Sequence, residues 1–175
     1  MSKPGATNLH LRLLAASLLF GSLPPFVAAR MVTMALRVAG LRIGHGSLFY
    51  SVPTLVGPGV VQRNLRIGDF CGFNKGCYFD LEASIAIGDH VAVGHDVAFI
   101  TTGCENGPPA QRGGRPMPAP IVVGDGVWLG SRSTVLPGVT IGTGSVIGAG
   151  VTVDQNVPAQ TLVSGARPVS IARWR

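Results

Sequence analysis

The side chains best suited to chemistry sit together in one stretch. Gly103-Cys104-Glu105-Asn106-Gly107-Pro108-Pro109-Ala110-Gln111-Arg112-Gly113-Gly114-Arg115-Pro116 sets a thiol beside a carboxylate in a run rich in Gly and Pro. A thiolate is a strong nucleophile, but a free thiol has a reference pKa of about 8.5 and is mostly neutral near pH 7. Cys104 therefore serves as a base only where something lowers its pKa, and no basic neighbour is evident in the sequence. It could instead be acylated itself, through a covalent intermediate. Glu105, next to it, could orient the thiol or take a proton on its own account. The other two cysteines, Cys71 and Cys77, stand six residues apart. Three cysteines make an odd count and imply no disulfide framework, so a cytoplasmic location is the default.

A scaffold of constant period must position that stretch. Val123, Leu129, Val135, Ile141, Ile147 and Val153 fall at intervals of six, and an earlier block repeats the interval at Ile67, Phe73, Phe79 and Ile85. A third runs through Ile87, Val93 and Phe99. Four residues after all of these positions but Ile85 sits a small or β-branched residue: Cys71, Cys77, Ala83, Val91, Val97, and so on to Val157. Neither a 3.6-residue helix nor a two-residue strand alternation gives a period of six. A parallel β-helix does, because each flat side takes six residues and each coil stacks its inward residue on the coil below. Cys71 and Cys77 then fall at inward positions, where a thiol acts as a small hydrophobe. The period lapses once, between Phe99 and Ile121. A Gly/Pro-rich excursion from a regular rod must loop outwards, and long loops in compact folds are usually functional.

At 175 residues the chain is one domain of ordinary size, divided at 1–42, 43–160 and 161–175. The net charge of +6 is built mostly from Arg and points to an anionic partner. Basic residues are scattered and aromatics few, which argues against nucleic acid. Within 1–42, Leu13 to Ala29 is apolar and uncharged, preceded by Arg12 and interrupted by Gly21 and Pro24-Pro25. Its three meanings are a signal peptide closed by Val27-Ala28-Ala29, a short membrane anchor, or a helical cap. The cap is preferred, because the open end of a solenoid has to be covered: a helix ending before Pro24-Pro25, then a second from about Phe26 to Ala39. A peripheral membrane contact through this segment is the alternative.

The repeat resembles that of the hexapeptide-repeat family, over roughly Ile43 to Val157. This implies an all-β, left-handed parallel β-helix with one protruding loop over 103–120. Local motifs resemble the sugar and antibiotic O-acetyltransferase branch. Asn74-Lys75-Gly76-Cys77-Tyr78-Phe79-Asp80 is similar to its Asn-x-x-Cys-x-Phe-Asp. Ala119-Pro120-Ile121-Val122-Val123-Gly124-Asp125-Gly126-Val127-Trp128-Leu129-Gly130 is similar to the segment by which its members leave the loop. The resemblance implies transfer of an acyl group, acetyl by default and succinyl as an option, from acyl-coenzyme A to a hydroxyl of a saccharide or glycolipid. It also implies a homotrimer with sites between neighbouring rods. The family's general base, a His at the start of the loop, is Cys104 in this chain. Asp80, Glu105 and His95 are the candidates for a relocated base, and His95 also reads as a hydrogen-bonded face residue. Asn74 and Asp80 are implied in gripping acceptor hydroxyls, while Trp128 either packs on a ligand or forms a wall supporting the loop.

For the donor, Gly130-Ser131 and Gly148-Ala149-Gly150 match the family's coenzyme A-binding coils. Its Thr-Lys place reads Asp154-Gln155, leaving Arg132, Arg167 and Arg173 to meet the phosphates. A zinc site of the kind some hexapeptide rods carry needs three converging imidazoles. His95 has Ile100 at the required offset of five, and His90 sits in another phase, so no metal is expected. The rival function is a catalytically degenerate rod acting as a binding or scaffold protein.

Overall fold

The computed structural model describes residues 25–58 and 61–165. Helix α1 (Pro25–Val38) comes first and short parallel strands follow, three to a coil. Sheet A stacks β1 (Arg42–Ile43), β4 (Leu65–Ile67), β7 (Ile85–Ile87), β12 (Ile121–Val123) and β15 (Thr140–Ile141). Sheet B stacks β2 (Leu48–Phe49), β5 (Gly72–Phe73), β8 (Ala92–Val93), β13 (Trp128–Leu129), β16 (Val146–Ile147) and β18 (Leu162–Val163). Sheet C stacks β3 (Thr54–Val56), β6 (Tyr78–Asp80), β9 (Ala98–Phe99), β14 (Thr134–Val135) and β17 (Thr152–Val153). The three sheets are the sides of a rod. This is the left-handed β-helix that the six-residue period demands.

Registers show why the period exists. Ile67, Ile87, Val123 and Ile141 lie directly over one another in sheet A. Phe73, Val93, Leu129 and Ile147 do so in sheet B, and Phe79, Phe99, Val135 and Val153 in sheet C. All are buried, so each ladder is a column of like side chains. Phe49 stacks on Phe73 at 4.3 Å and Phe79 on Phe99 at 4.9 Å, nearly parallel in both pairs. Cys71 and Cys77 are buried.

Ile85 departs from the expected series. It pairs with Leu65 and Ile121 as a second inward column of sheet A, and Ile87 is the residue in register with Ile67. The coil holds two extra residues at the corner leading from sheet C into sheet A. Leu81 fills the interior there, and Ala83 is only half-buried.

Helix α1 covers the first coil, burying Ala28, Ala29, Val32, Thr33 and Leu36. The Thr33 hydroxyl accepts the Phe49 N–H (2.9 Å), and Arg37 donates to the carbonyls of Ile43 (3.3 Å) and Gly44. Gly40, at φ 99°, ends the helix: Leu41 N–H donates to the Leu36 carbonyl and Gly40 N–H to Arg37, the paired closure of a Schellman motif. The expected helix over Phe26 to Ala39 thus runs Pro25–Val38. The signal, anchor and first-helix alternatives for Leu13 to Pro24 lie outside the described residues, as do Arg167 and Arg173. Among the described residues, no helix is long and apolar enough to cross a membrane.

Candidate active site

The expected loop is a β-hairpin. β10 (Thr102–Asn106) and β11 (Gly113–Pro118) pair antiparallel, with Cys104 opposite Pro116 and the register slipping between Cys104 and Asn106. It leaves the rod at the corner between sheets C and A, where it is fastened by its root. Asp80 ends β6 in the coil beneath and is only 8% exposed. Its Oδ2 accepts the Thr102 N–H (2.8 Å) and its Oδ1 the Glu82 N–H (3.3 Å). The fully buried Thr101 hydroxyl donates to the Asp80 carbonyl (2.8 Å) and accepts the Ala83 N–H (3.1 Å). The Thr101 carbonyl accepts the Ala119 N–H (2.8 Å), so one residue ties both strands of the hairpin to the coil below.

Asp80 is therefore neither a solvated turn carboxylate nor free to grip a hydroxyl with both oxygens. It positions the hairpin. Beyond this root, Cys104 and Glu105 are exposed, adjacent and free of any partner that would mask them among the described residues. Thr101 had no role assigned by sequence reasoning. Its signal is a threonine directly after the last apolar step of a side, where the chain must turn out of the rod. Thr102 Oγ1 is buried in the same root without a hydrogen-bond partner.

The other candidates stand on a different corner, between sheets B and C. Asn74, His95, Ser131, Arg132 and Ala149 occupy successive coils there, and backbone bonds weld the coils into a ridge. Arg132 N–H donates to the His95 carbonyl (2.7 Å) and Gly150 N–H to Ser131 (2.9 Å). Ser131 Oγ accepts the His95 N–H (3.1 Å), and the Asn74 amide donates to the Val93 carbonyl (3.1 Å). A Cβ on Gly130 would approach Ala149 N to 2.5 Å, so this place admits only glycine. Arg132 adopts φ 60° and reaches Asp96 at 3.8 Å with its side chain 81% exposed, a loose pair that leaves the guanidinium available.

Within one protomer the structure separates several of the candidates. Asn74 and Asp80 bracket one side of the rod, up to about 20 Å apart at ~3.3 Å per residue, and do not share a cleft. His95 lies on the ridge with Asn74, away from the hairpin. Trp128, 57% exposed, sits on the outer face of sheet B between Ala92 and Val146. Sheet B lies opposite the corner between C and A, so Trp128 cannot wall its own protomer's hairpin. No cluster of three or more metal-ligating residues occurs among the described residues.

Burial pushes the Cys77 thiol up to about 12 and raises Cys71 as well, keeping both neutral. They are core residues, and Cys104 is the exposed thiol.

A coiled stack of six-residue sides with one hairpin thrown out is the hexapeptide-repeat architecture, and in repeat and fold the chain is similar to those proteins. The bacterial transferase hexapeptide model, describing six repeats, matches residues 120–155. Galactoside O-acetyltransferase of Escherichia coli is 35% identical over 104 residues, 58% of this chain and 50% of that one. The chain spans about half the length of the curated relatives it matches. Among solved structures, a hexapeptide-repeat-containing acetyltransferase of Vibrio cholerae superposes with a TM-score of 0.72 at 28% identity, over 92% of this chain and 89% of that one. The same protein complexed with acetyl coenzyme A gives 0.70 at 28%, over 94% and 88%.

Proposed function

We propose that the chain is an acyl-CoA-dependent O-acyltransferase acting on a hydroxyl of a saccharide or glycolipid, working as a homotrimer in the cytoplasm. The observation that carries this is the division of labour between two corners of the rod. One corner throws out a hairpin bearing Cys104 and Glu105 from a root fixed by Asp80 and Thr101. The other is a continuous ridge, running from Asn74 to Ala149, with an available cation, Arg132. Apposing the first corner of one protomer to the second corner of its neighbour brings acceptor chemistry to a groove able to hold a long anionic donor. That arrangement also reunites Asn74 with Asp80 and lets Trp128 contribute from its exposed face. Acetyl is the expected acyl group, in line with the relatives, and succinyl is the variant that the Arg excess favours.

The steps balance simply. Glu105 accepts the proton of the acceptor hydroxyl while that oxygen bonds to the thioester carbonyl carbon. Backbone N–H groups stabilise the resulting oxyanion. The carbon–sulfur bond then breaks, and coenzyme A leaves as a thiolate that takes the proton back. Cys104, beside the base, lines the path of that proton.

The test is release of coenzyme A thiol from acetyl-CoA and succinyl-CoA across a panel of sugars and glycolipids, read beside a thermal shift with each donor. Thiol release above background that depends on a sugar supports the proposal. No release with any pair, together with no donor-induced stabilisation, moves the chain to the scaffold alternative.

A further inference from the structure

Charge is distributed very unevenly along this chain. Residues 1–68 contain Lys3, Arg12, Arg30, Arg37, Arg42, Arg63 and Arg66 and not one acidic residue, a net +7. Residues 69–175 carry seven basic and eight acidic residues, a net −1. Among the described residues, Arg30, Arg37, Arg42, Arg63 and Arg66 stand on the helix and first coils with no acidic residue, and a half-to-half asymmetry of this kind marks an anionic surface as partner.

Helix α1 lies across that end. Its inner face is spent on the first coil, and its outer face shows Met31 (49% exposed), Met34 (60%) and Val38 (69%) at spacings of three and four. Such spacing puts the three on one stripe. Arg30 and Arg37 flank it, both exposed. Arg37 bonds to the Ile43 and Gly44 carbonyls, which carries the patch onto sheet A, where exposed Arg42 and Arg66 stand in register. A groove of about 390 Å³, lined in part by Arg30, Met34, Arg37 and His45, runs between helix and coil.

We propose that this end of the rod docks on an anionic phospholipid bilayer, α1 lying flat in the interface with Met31, Met34 and Val38 among the headgroups and the arginines on the phosphates. Apolar stripe and flanking cations are the two requirements for interfacial binding, and both are met on one helix. A second copy would set Arg30, Arg37, Arg42 and Arg66 against the same four arginines, which repels. Docking in this way leaves the hairpin and the ridge, on later coils, clear of the membrane. It does not depend on the acyltransferase proposal.

The full-length protein is sedimented with vesicles of phosphatidylcholine alone or mixed with phosphatidylglycerol. Binding is expected only to the mixed vesicles, and it should fall steeply between about 0.1 M and about 1 M salt as screening shortens. Arg42→Gln/Arg66→Gln should weaken partitioning about 25-fold, fivefold for each arginine near the surface. Met31→Ser/Met34→Ser should weaken it about tenfold or more. Equal binding to neutral vesicles, or none to either, overturns the proposal, and the salt titration of the unmodified protein decides this without any variant. Full binding in both double variants, with loss only in Leu13→Asp/Leu14→Asp, assigns binding to residues 1–24 and equally overturns it. So does end-to-end association in light scattering that Met31→Ser/Met34→Ser abolishes while vesicles stay unbound.

Discussion

The corner between sheets B and C and the corner between sheets C and A belong to the same coils but are built to opposite rules. From Phe49 to Leu55, Phe73 to Phe79, Val93 to Phe99, Leu129 to Val135 and Ile147 to Val153 the first corner always closes in six residues. From Leu55 to Ile67, Phe79 to Ile87, Phe99 to Val123 and Val135 to Ile141 the second takes 12, 8, 24 and 6. Every extra residue of the described rod is at that one corner. The constant corner makes an even ridge fit for one extended ligand, and its glycines are held by the next coil's backbone. The variable corner is where the chain can add a hairpin without disturbing any inward column, since the ladders resume in register after it. The proposed division, binding by the ridge and chemistry at the hairpin, rests on that difference.

Substitutions should separate the two corners. The largest effect is expected from Glu105→Gln, which removes the proposed base and should lower the turnover rate by ~10²–10⁴-fold with the donor KM little changed. Cys104→Ala should keep most activity. A burst of acyl-Cys104 by intact mass on donor alone would instead make the thiol a nucleophile. Asp80→Asn comes next. It keeps the side-chain shape but turns a charged acceptor of two N–H groups into an amide, costing about 1–3 kcal/mol locally. Hydrogen exchange in Thr102–Asn106 should quicken and turnover fall about tenfold, while the ridge stays protected. Arg132→Ala should act on the other corner alone, raising the KM for acyl-CoA a few-fold with kcat preserved. The weak pairing to Asp96 means stability should hardly move.

The smallest effect belongs to the core between them. Cys77 is held neutral up to about 12, well above the ordinary thiol range, by its burial. A thiol raised in this way contributes stability that is complete below pH 9 and is lost as pH climbs towards 12, where the unfolded thiol ionises first. Unfolding midpoints should drop across that interval, and less steeply in Cys77→Ala. In the native protein an exposed-thiol reagent should label Cys104 and spare Cys71 and Cys77.

The columns were legible because inward aliphatics repeat wherever corners close in six. From Val123 to Val153 the sequence alone suffices. Ile85 was misplaced because a two-residue excess at the variable corner leaves an aliphatic at the expected interval by coincidence, and only register distinguishes it from Ile87. The hairpin's position was visible as a lapse in period. Its root was not, because nothing in Asp80 announces that its carboxylate oxygens are already taken by backbone N–H groups. Trp128 and His95 were drawn towards the loop by nearness along the chain, whereas six residues carry the backbone across a whole side of the rod. Residues close in sequence are thus placed on different corners, and residues about 20 to 36 apart, such as His95 and Ser131, touch.

The central claim, that one protomer's hairpin works against its neighbour's ridge, is tested by mixing two inactive chains. Glu105→Gln disables the hairpin and leaves the ridge intact, while Ala149→Trp obstructs the exposed ridge and leaves the hairpin intact. Each alone should form trimers by light scattering and transfer almost no acyl group. Unfolded and refolded together, they should regain a substantial fraction of unmodified activity, because mixed trimers contain a groove built from one good hairpin and one good ridge. Mixed trimers that remain as inactive as either parent would contradict the account and put both halves of the site in a single protomer.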